Sequence, residues 1–403
     1  MQISKYKIAK LSDYAEIQPG YAFKSEQFTD DPTDIPLVKG ENVQQGFIDW
    51  EASKYWPAEA FRGLEKYYLQ TGDVVLAMDR PWVTSGLKWA FIKKHDPKAF
   101  LVQRVARLRS KQGLDQTYLR CLISSQYFSN YVQPIVTGVN VPHISSKQIG
   151  DFKIPLPSIK VQEKVAAILS AYDDLIENDK RRIVLLEKMA EEIYREWFVR
   201  MRFPGHEKVR FKKGVPVDWE IAKLGDVLEL LYGKALKESD RADGDFAVYG
   251  SGGIVGTHNK AIVKGPGIIV GRKGNVGSVH WSNSDFYPID TVYYVKSNFN
   301  LCFIYFLLQS MSFINNDAAV PGLNRSQAYS NRFYFPKTEL IESYGKIAEP
   351  IFSMKFHLNK KIKILETSRD MLLGRLISGK LPVDNLDIHF PPSMQPLEDK
   401  AHA

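Results

Sequence analysis

The feature that most constrains this chain is that it is written twice. Lys10-Leu11-Ser12-Asp13, continuing through Glu16, Gly20, Ala22 and Lys24, recurs as Lys223-Leu224-Gly225-Asp226 through Glu229, Gly233, Ala235 and Lys237, an offset of 213 residues. Further on, Val141-Pro142-His143-Ile144-Ser145-Ser146-Lys147-Gln148 recurs as Val320-Pro321-Gly322-Leu323-Asn324-Arg325-Ser326-Gln327, now at an offset of 179. Arg182-Ile183-Val184-Leu185-Leu186-Glu187 matches Lys361-Ile362-Lys363-Ile364-Leu365-Glu366 at that same 179. Each half therefore has a variable front part, longer in the first half, and a back part of nearly constant length. A duplicated chain folds as two copies of one unit, and 403 residues accommodate two or three domains.

The front parts read as mixed α/β with many short strands. Gly72-Asp73 leads into Val74-Val75-Leu76-Ala77, a turn entering an apolar strand, and Gly267 leads into Ile268-Ile269-Val270 as its counterpart. The back parts read as helices. No Gly or Pro occurs from Gln162 to Phe198. Val165, Ile168, Tyr172, Ile176, Ile183, Leu186, Ala190, Ile193 and Trp197 advance in threes and fours, a coiled-coil-like seam that Asp179 interrupts. The second copy supplies Tyr344, Ile347, Ile351, Leu358, Ile362, Leu365, Leu372 and Leu376. Pro350 predicts a kink in this helix or marks its true start, and Gly379 suits its stop. Two stripes of matching length, each trailing a globular unit, predict an antiparallel pair of helices that bury one another, the alternative being that each helix packs only on its own domain. Arg202-Phe203-Pro204-Gly205-His206 through Trp219 reads as a linker, and the proline-rich stretch after Leu381 as a disordered tail.

The chemistry-bearing patterns are mostly absent. Gly250-Ser251-Gly252-Gly253-Ile254-Val255-Gly256 does not keep dinucleotide-binding spacing, and Gly271-Arg272-Lys273-Gly274 is not a phosphate-binding P-loop. Phe390-Pro391-Pro392-Ser393 lacks the polar first and aromatic last residues of the adenine-methyltransferase motif. Cys121 and Cys302 are far apart with no metal-ligand spacing and read as buried reduced thiols of a cytoplasmic protein. No apolar run is long enough to span a bilayer. A formal net charge of +8 fits a polyanionic partner. Lys180, Arg181 and Arg182 read as a solvated helix face, with a phosphate contact as the alternative.

Certain junctions are familiar. Phe152-Lys153-Ile154-Pro155-Leu156-Pro157 followed by Gln162-Glu163-Lys164-Val165 resembles the passage from a target-recognition domain into a conserved helix in type I restriction–modification specificity subunits. So does Ile193-Tyr194-Arg195-Glu196-Trp197-Phe198, leading through Arg202-Phe203-Pro204-Gly205 to Trp219-Glu220 and Lys223-Leu224-Gly225-Asp226. Gly271-Arg272-Lys273-Gly274-Asn275-Val276-Gly277 and Phe286-Tyr287-Pro288 look like a common recognition-domain variant. The second junction, Phe335-Pro336 then Glu342-Ser343-Tyr344, departs from the family pattern.

The resemblance implies an α+β pseudo-twofold architecture. It places recognition domains at 1–157 and 221–338, conserved helices at 158–200 and 339–381, a linker at 201–220 and a tail at 382–403. It implies that each recognition domain reads half of a split site in double-stranded DNA. The helices would form a rigid spacer and dock two methyltransferase subunits acting on adenine N6 with S-adenosylmethionine. Two motor–nuclease subunits would join to cut with ATP and Mg, all in a prokaryotic cytoplasm. This chain would hold no catalytic residue, metal or cofactor of its own. A fused or orphan methyltransferase, a methylation-only specificity subunit and a protein-binding scaffold are the alternatives.

Sequence reading needs hydrogen-bonding side chains on loops, with cations for phosphates. In the first unit the candidates are Lys39, Glu41, Asn42, Arg80, Trp82, Lys88, Asn140, His143 and Lys147. In the second they are Tyr249, Ser251, His258, Asn259, Arg272, Lys273, Asn275, Asn324 and Arg325. For each, a solvated loop residue or turn former is the competing reading.

Overall fold

A computed structural model of the protein describes residues 5–60, 63–83, 86–137, 142–313 and 322–395. The chain divides into two units, one of residues 1–177 with 363–403 and one of residues 178–362. Each carries nine corresponding strands, numbered here in chain order. The first unit holds β1 (Lys7–Lys10), β2 (Ala15–Pro19), β3 (Ile35–Val38), β4 (Tyr55–Trp56), β5 (Val74–Ala77), β6 (Trp89–Phe91), β7 (Phe100–Leu101), β8 (Val105–Ser110) and β9 (Lys153–Leu156). The second holds β10 (Glu220–Lys223), β11 (Glu229–Tyr232), β12 (Phe246–Gly250), β13 (Gly253–His258), β14 (Gly267–Gly271), β15 (Val279–Ser282), β16 (Phe286–Pro288), β17 (Val292–Lys296) and β18 (Arg332–Phe335). Two short hairpins, Trp82–Val83 with Gly86–Leu87 and Phe211–Lys212 with Val215–Pro216, lie outside this scheme.

The duplication holds strand for strand. The four-stranded antiparallel sheet β2-β8-β5-β6 is matched by β11-β17-β14-β15, and the three-stranded sheet β4-β3-β7 by β13-β12-β16. The outer pair of the latter is parallel in both copies, β3 with β7 and β12 with β16. The pair β1–β9 recurs as β10–β18. The apolar strands forecast at Val74 and Ile268 are the buried third members of their sheets. Gly20 and Gly233 mark a shared close approach. A Cβ would stand 2.2 Å from the Val102 carbonyl oxygen in one copy and 2.1 Å from the Ile289 carbonyl oxygen in the other.

In the first unit α1 (Leu11–Tyr14) joins β1 to β2, α2 (Gln116–Ser124), α3 (Gln126–Val136) and α4 (Ser146–Gly150) lie between β8 and β9, and α5 (Ile159–Tyr194) follows β9. The second set has α6 (Leu224–Val227), α7 (Leu301–Ser310), α8 (Arg325–Ser330) and α9 (Thr338–Ile377). Each long helix gives one end to each unit, so the boundary at 177/178 and 362/363 cuts both. Gln162 of the junction motif is buried, donating to the carbonyls of Gly113 and Pro157 and accepting from the Asp115 amide.

The two helices run antiparallel wherever they meet within a unit. In the first, Asp173 accepts from Arg369 at 2.8 Å, and Val165 and Leu169 share a core with Leu373, Leu376 and Ile377. In the second, Asp179 pairs with Lys361 at 2.8 Å, Glu187 with Lys355 at 3.1 Å, and the Tyr344 hydroxyl donates to the Ala190 carbonyl at 3.0 Å. Of the forecast seam, Val165, Ile176, Ile351, Leu358 and Ile362 are buried. Ile168, Tyr172, Ile183, Leu186, Ile193, Leu365 and Leu372 are half-buried.

Several expectations are corrected. Ile347 is exposed, and Ala348 takes the inward position between Tyr344 and Ile351. Asp179 is no gap in the stripe: it is 1% exposed and ion-paired to Lys361 and Arg182. Pro350 does not start α9, which begins twelve residues earlier at Thr338. The ring removes the donor that the Lys346 carbonyl would use, but Lys346 is exposed, so water can take its place. Gly379 does end the helix, at φ +73°. The segment after Arg202 is more than a linker, because Phe203 and Trp219 are buried and stacked at 5.8 Å in the second unit's core. The described part of the tail, residues 382–395, packs on the first unit. Val383 is fully buried, with Leu381 and Ile388 packed on the same core, and the Asp384 carbonyl accepts from Lys164 at 2.7 Å.

The paired glycines give a direct test. Gly20→Ala and Gly233→Ala should each destabilise the protein by roughly 1–3 kcal/mol, since backbone must move to admit the methyl group. Gly252→Ala, which meets nothing within 4 Å, should cost about 1 kcal/mol or less. Urea unfolding midpoints would measure all three, and equal effects would refute the close approach.

Candidate nucleic-acid interface

The strand correspondence fixes which loop residues are equivalent. The Ile144 amide donates to the Met78 carbonyl at 2.9 Å, and the Leu323 amide to the Arg272 carbonyl at 2.8 Å. Asp79 bridges His143 as Lys273 bridges Gly322. So Met78, Asp79 and Arg80 occupy the places of Arg272, Lys273 and Gly274. The segment from His143 into α4 occupies the place of Gly322 into α8. In both copies a polar side chain caps the short helix: the Ser145 hydroxyl accepts from the Gln148 amide, and Asn324 accepts from the amides of Ser326 and Gln327. The edge where a sheet strand ends beside this helix is therefore one scaffold carrying two sets of side chains.

In the first unit this edge opens on a cleft of about 660 Å³. Its charged lining is Lys39, Glu41, Asp79, Arg80, Lys88 and Arg104. Asp79 is the organiser, holding the Arg104 Nε at 3.1 Å and the His143 Nδ1. Lys39 pairs with Glu41 at 3.0 Å and lies 5.3 Å from the Phe28 ring centroid. Trp82, His143 and Lys147 are exposed. Asn140 lies outside the described residues.

Two forecast readers of the first unit have interior work. Asn42 is 1% exposed; it accepts from the Lys39 amide and donates to the Leu37 carbonyl and the Ser53 hydroxyl, so it locks its loop. Lys88 is 9% exposed and donates to the Gly40 carbonyl. Burial lowers its pKa, with Glu41 opposing.

In the second unit the edge is built around Tyr232, which is 51% exposed. The guanidinium groups of Arg272 and Arg325 each stand 5.3 Å from its ring centroid, within cation–π range. Tyr293 lies beneath, 5.0 Å from Tyr232 between ring centroids, and its own hydroxyl donates to the Leu323 carbonyl. Burial, with the neighbouring Tyr232, pushes the Tyr293 hydroxyl up to about 12 while Arg272 and Arg325 oppose it. Arg272 donates its Nε and one Nη to the Asp290 carbonyl, at 3.1 and 2.8 Å. Lys273 and Asn275 are exposed on the same loop, and the Asn275 amide donates to the Ser251 hydroxyl.

His258 and Asn259 stand apart, at the far end of β13 from Ser251, where His258 accepts from the Ala242 amide. Tyr249 is corrected to a core residue, 6% exposed against Phe286. Asn324 spends its oxygen on the helix cap. Sequence reasoning missed Asp79, Arg104 and Tyr232. Tyr232 adjoins the repeated Gly233, a signal that was available; for the other two, no local pattern existed.

A sequence-family profile described as "Type I restriction modification DNA specificity domain" matches residues 3–188 and again 216–366. The chain belongs to that family. It is 25% identical over 312 residues to the MjaIX specificity subunit of Methanocaldococcus jannaschii, covering 68% of this chain and 71% of that one. It is 34% identical over 159 residues to the EcoAI specificity subunit of Escherichia coli, covering 39% of this chain and 26% of that one. Its fold is like that of the crystal structure of a type I restriction–modification S subunit from M. genitalium, with TM-score 0.58, 16% identity and coverage of 94% and 97%. Both halves of this specificity chain thus fall under one profile, as the strand correspondence requires. Among the described residues no helix is long and apolar enough to cross a membrane.

The two thiols of the specificity chain are not nucleophiles. Burial pushes both Cys121 and Cys302 up to about 12. Their stabilising effect is complete below the unfolded thiol pKa, about 8.5, and is lost as pH rises toward the folded value. At pH 8 native protein should resist iodoacetamide at both sites, and denatured protein should take up two groups. Modification of the native form at the denatured rate would contradict this burial.

Proposed function

We propose that this chain is the DNA-reading subunit of a type I restriction–modification enzyme, with each unit reading one half of a bipartite site in double-stranded DNA. One observation carries the reading: the two interfaces share a backbone and differ in side chains. Asp79, Arg80, His143 and Ser146 in the first unit correspond to Lys273, Gly274, Gly322 and Arg325 in the second, and Arg272 stands where the first unit has Met78, a residue of its core. One frame with two different sets of hydrogen-bonding groups suits two unlike half-sites. The cationic and aromatic character of the second edge supports a nucleic-acid partner over a protein scaffold.

The long helices are the docking element for methyltransferase subunits in this reading. Val184, Leu185 and Met189 on α5, with Ile347 and Met354 on α9, are large apolar side chains left exposed. Exposed apolar side chains on both long helices support a protein-docking role for them. The partners, two methyltransferase and two motor–nuclease subunits, supply S-adenosylmethionine, ATP and Mg, and this chain supplies the address. Catalysis lies outside it: adenine N6 methylation and ATP-dependent cleavage belong to the partners.

The purified chain should transfer no methyl group alone. With its methyltransferase partner it should direct adenine methylation to a bipartite sequence, read by sequencing methylated DNA. Binding of S-adenosylmethionine by the isolated chain would defeat the assignment. Tyr232→Ala should loosen only the half-site read by the second unit. Both arginines would lose the ring that positions them, and since those internal contacts are worth roughly 0.5–1 kcal/mol each, the weakening there should be at most about fivefold to thirtyfold; an unchanged motif and affinity would remove Tyr232 from the interface.

A further inference from the structure

The described part of the first unit contains two arginines in the left-handed backbone region, Arg80 at φ +43° and Arg104 at φ +66°. That region is strained for a branched-off side chain and favours glycine or asparagine. Both arginines line the same cleft. The second unit shows what the fold itself asks for at each place. At the position equivalent to Arg80 stands Gly274, at φ +75°. The bend thus demands a left-handed residue, and one copy meets the demand with glycine while the other uses arginine.

The position of Arg104 makes the point from the other side. It lies in the tight turn between β7 and β8, closed by the Val105 amide on the Val102 carbonyl at 3.3 Å. The equivalent turn is closed by the Val292 amide on the Ile289 carbonyl at 3.1 Å. There the residue equivalent to Arg104 is Thr291, which is not among the left-handed residues. The turn can be made without strain, yet the first unit makes it with a strained arginine. Backbone strain that the topology does not require is characteristic of functional positions.

We infer that Arg80 and Arg104 are specificity-determining residues that read guanine in the half-site of the first unit. This rests on the DNA-reading function proposed above. The choice of a base edge over a phosphate follows from the lining. Asp79 and Glu41 offset part of the positive charge of the cleft, which weakens its pull on a phosphate but costs nothing toward a neutral base edge. Asp79 engages Arg104 through Nε. The end-on pair of Nη groups remains available for a two-pronged contact with guanine O6 and N7, the commonest specific arginine contact in the major groove.

The test uses the full chain expressed with its methyltransferase partner, with sequencing of methylated adenines and thermal unfolding of the purified complex and of the chain. Arg80→Gly and Arg104→Gly remove the side chain and relieve the strain together. Each should leave Tm unchanged or raised, and each should relax the motif at a guanine in one half-site by about tenfold or more, the other half-site being untouched. Arg80→Lys and Arg104→Lys keep the charge and the strained backbone but lose the two-pronged geometry, and should relax the same positions.

A motif unchanged in all four variants overturns the inference. So does a uniform loss of affinity with the salt slope reduced by about one, the mark of a phosphate contact. A fall in Tm accompanying the motif change would make the arginines structural and overturn it as well. A wild-type complex that methylates no bipartite motif would instead refute the function beneath it, so the two failures are told apart.

Discussion

Everything in this protein hangs on the pairing of α5 with α9. Neither helix is a stable object in water, because each carries a long apolar stripe and its polar face gives only weak local support. Within each unit the stripes close on one another, and the ion pairs crossing the seam fix the register. Asp179 is the most consequential of these. A carboxylate 1% exposed is tolerated only when paired, and Lys361 meets it at 2.8 Å. Sliding α9 by one turn would remove Lys361 and leave the buried carboxylate with Arg182 alone, at 3.5 Å, at a penalty below the roughly 3–5 kcal/mol of a buried charge stripped of all partners. An apolar residue at 179 would tolerate such a slip, so the acid fixes alignment where Leu or Ile would add only adhesion.

The repeat was legible in the sequence because it is a property of backbone requirements. Gly20 and Gly233 recur because a carbonyl stands where any Cβ would go. The helical seam was legible for the same reason, as periodicity reflects geometry. What failed was the assignment of single residues whose surroundings come from distant parts of the chain. Asn42 and Lys88 look like solvated loop residues, and Tyr249 like an exposed aromatic, until their neighbours are known. Ile347 lost its inward place to Ala348 because a small residue admits closer packing beside Tyr344. Pro350 misled because a proline in an exposed stretch of helix forfeits a hydrogen bond that water can replace. The packed part of the tail was hidden by its prolines, although Val383 fills a place in the first core.

The two interfaces illustrate how one frame serves two specificities. The hydrogen bonds joining strand end to short helix are made by backbone amides and carbonyls, so they survive any change of side chain. Met78 and Arg272 offer the same carbonyl to the same kind of partner, while the Met78 side chain packs into its core and the Arg272 guanidinium lies on the edge over Tyr232. Organising contacts are likewise particular to each copy. A carboxylate, Asp79, arranges the first edge, whereas a stack of tyrosines and a carbonyl arrange the second. The exposed members, Arg80 and Lys147 in one copy and Lys273 and Asn275 in the other, can diverge because the joint between strand end and helix is made by backbone.

Chain order adds a constraint of its own. The second unit is continuous in sequence, residues 178–362, whereas the first needs residues 363–403 to be complete. Leu373, Leu376, Ile377 and Val383 share a core with Val165 and Leu169, some two hundred residues earlier. The first unit therefore leaves part of its apolar core uncovered until residues 373–383 have been made, while the second can close before that. Contacts of such separation form late because the loop-closure entropy precedes their reward. The first unit, begun earlier on the ribosome, is thus the one completed last, and its exposed α5 stripe is the surface most in need of protection in the interval.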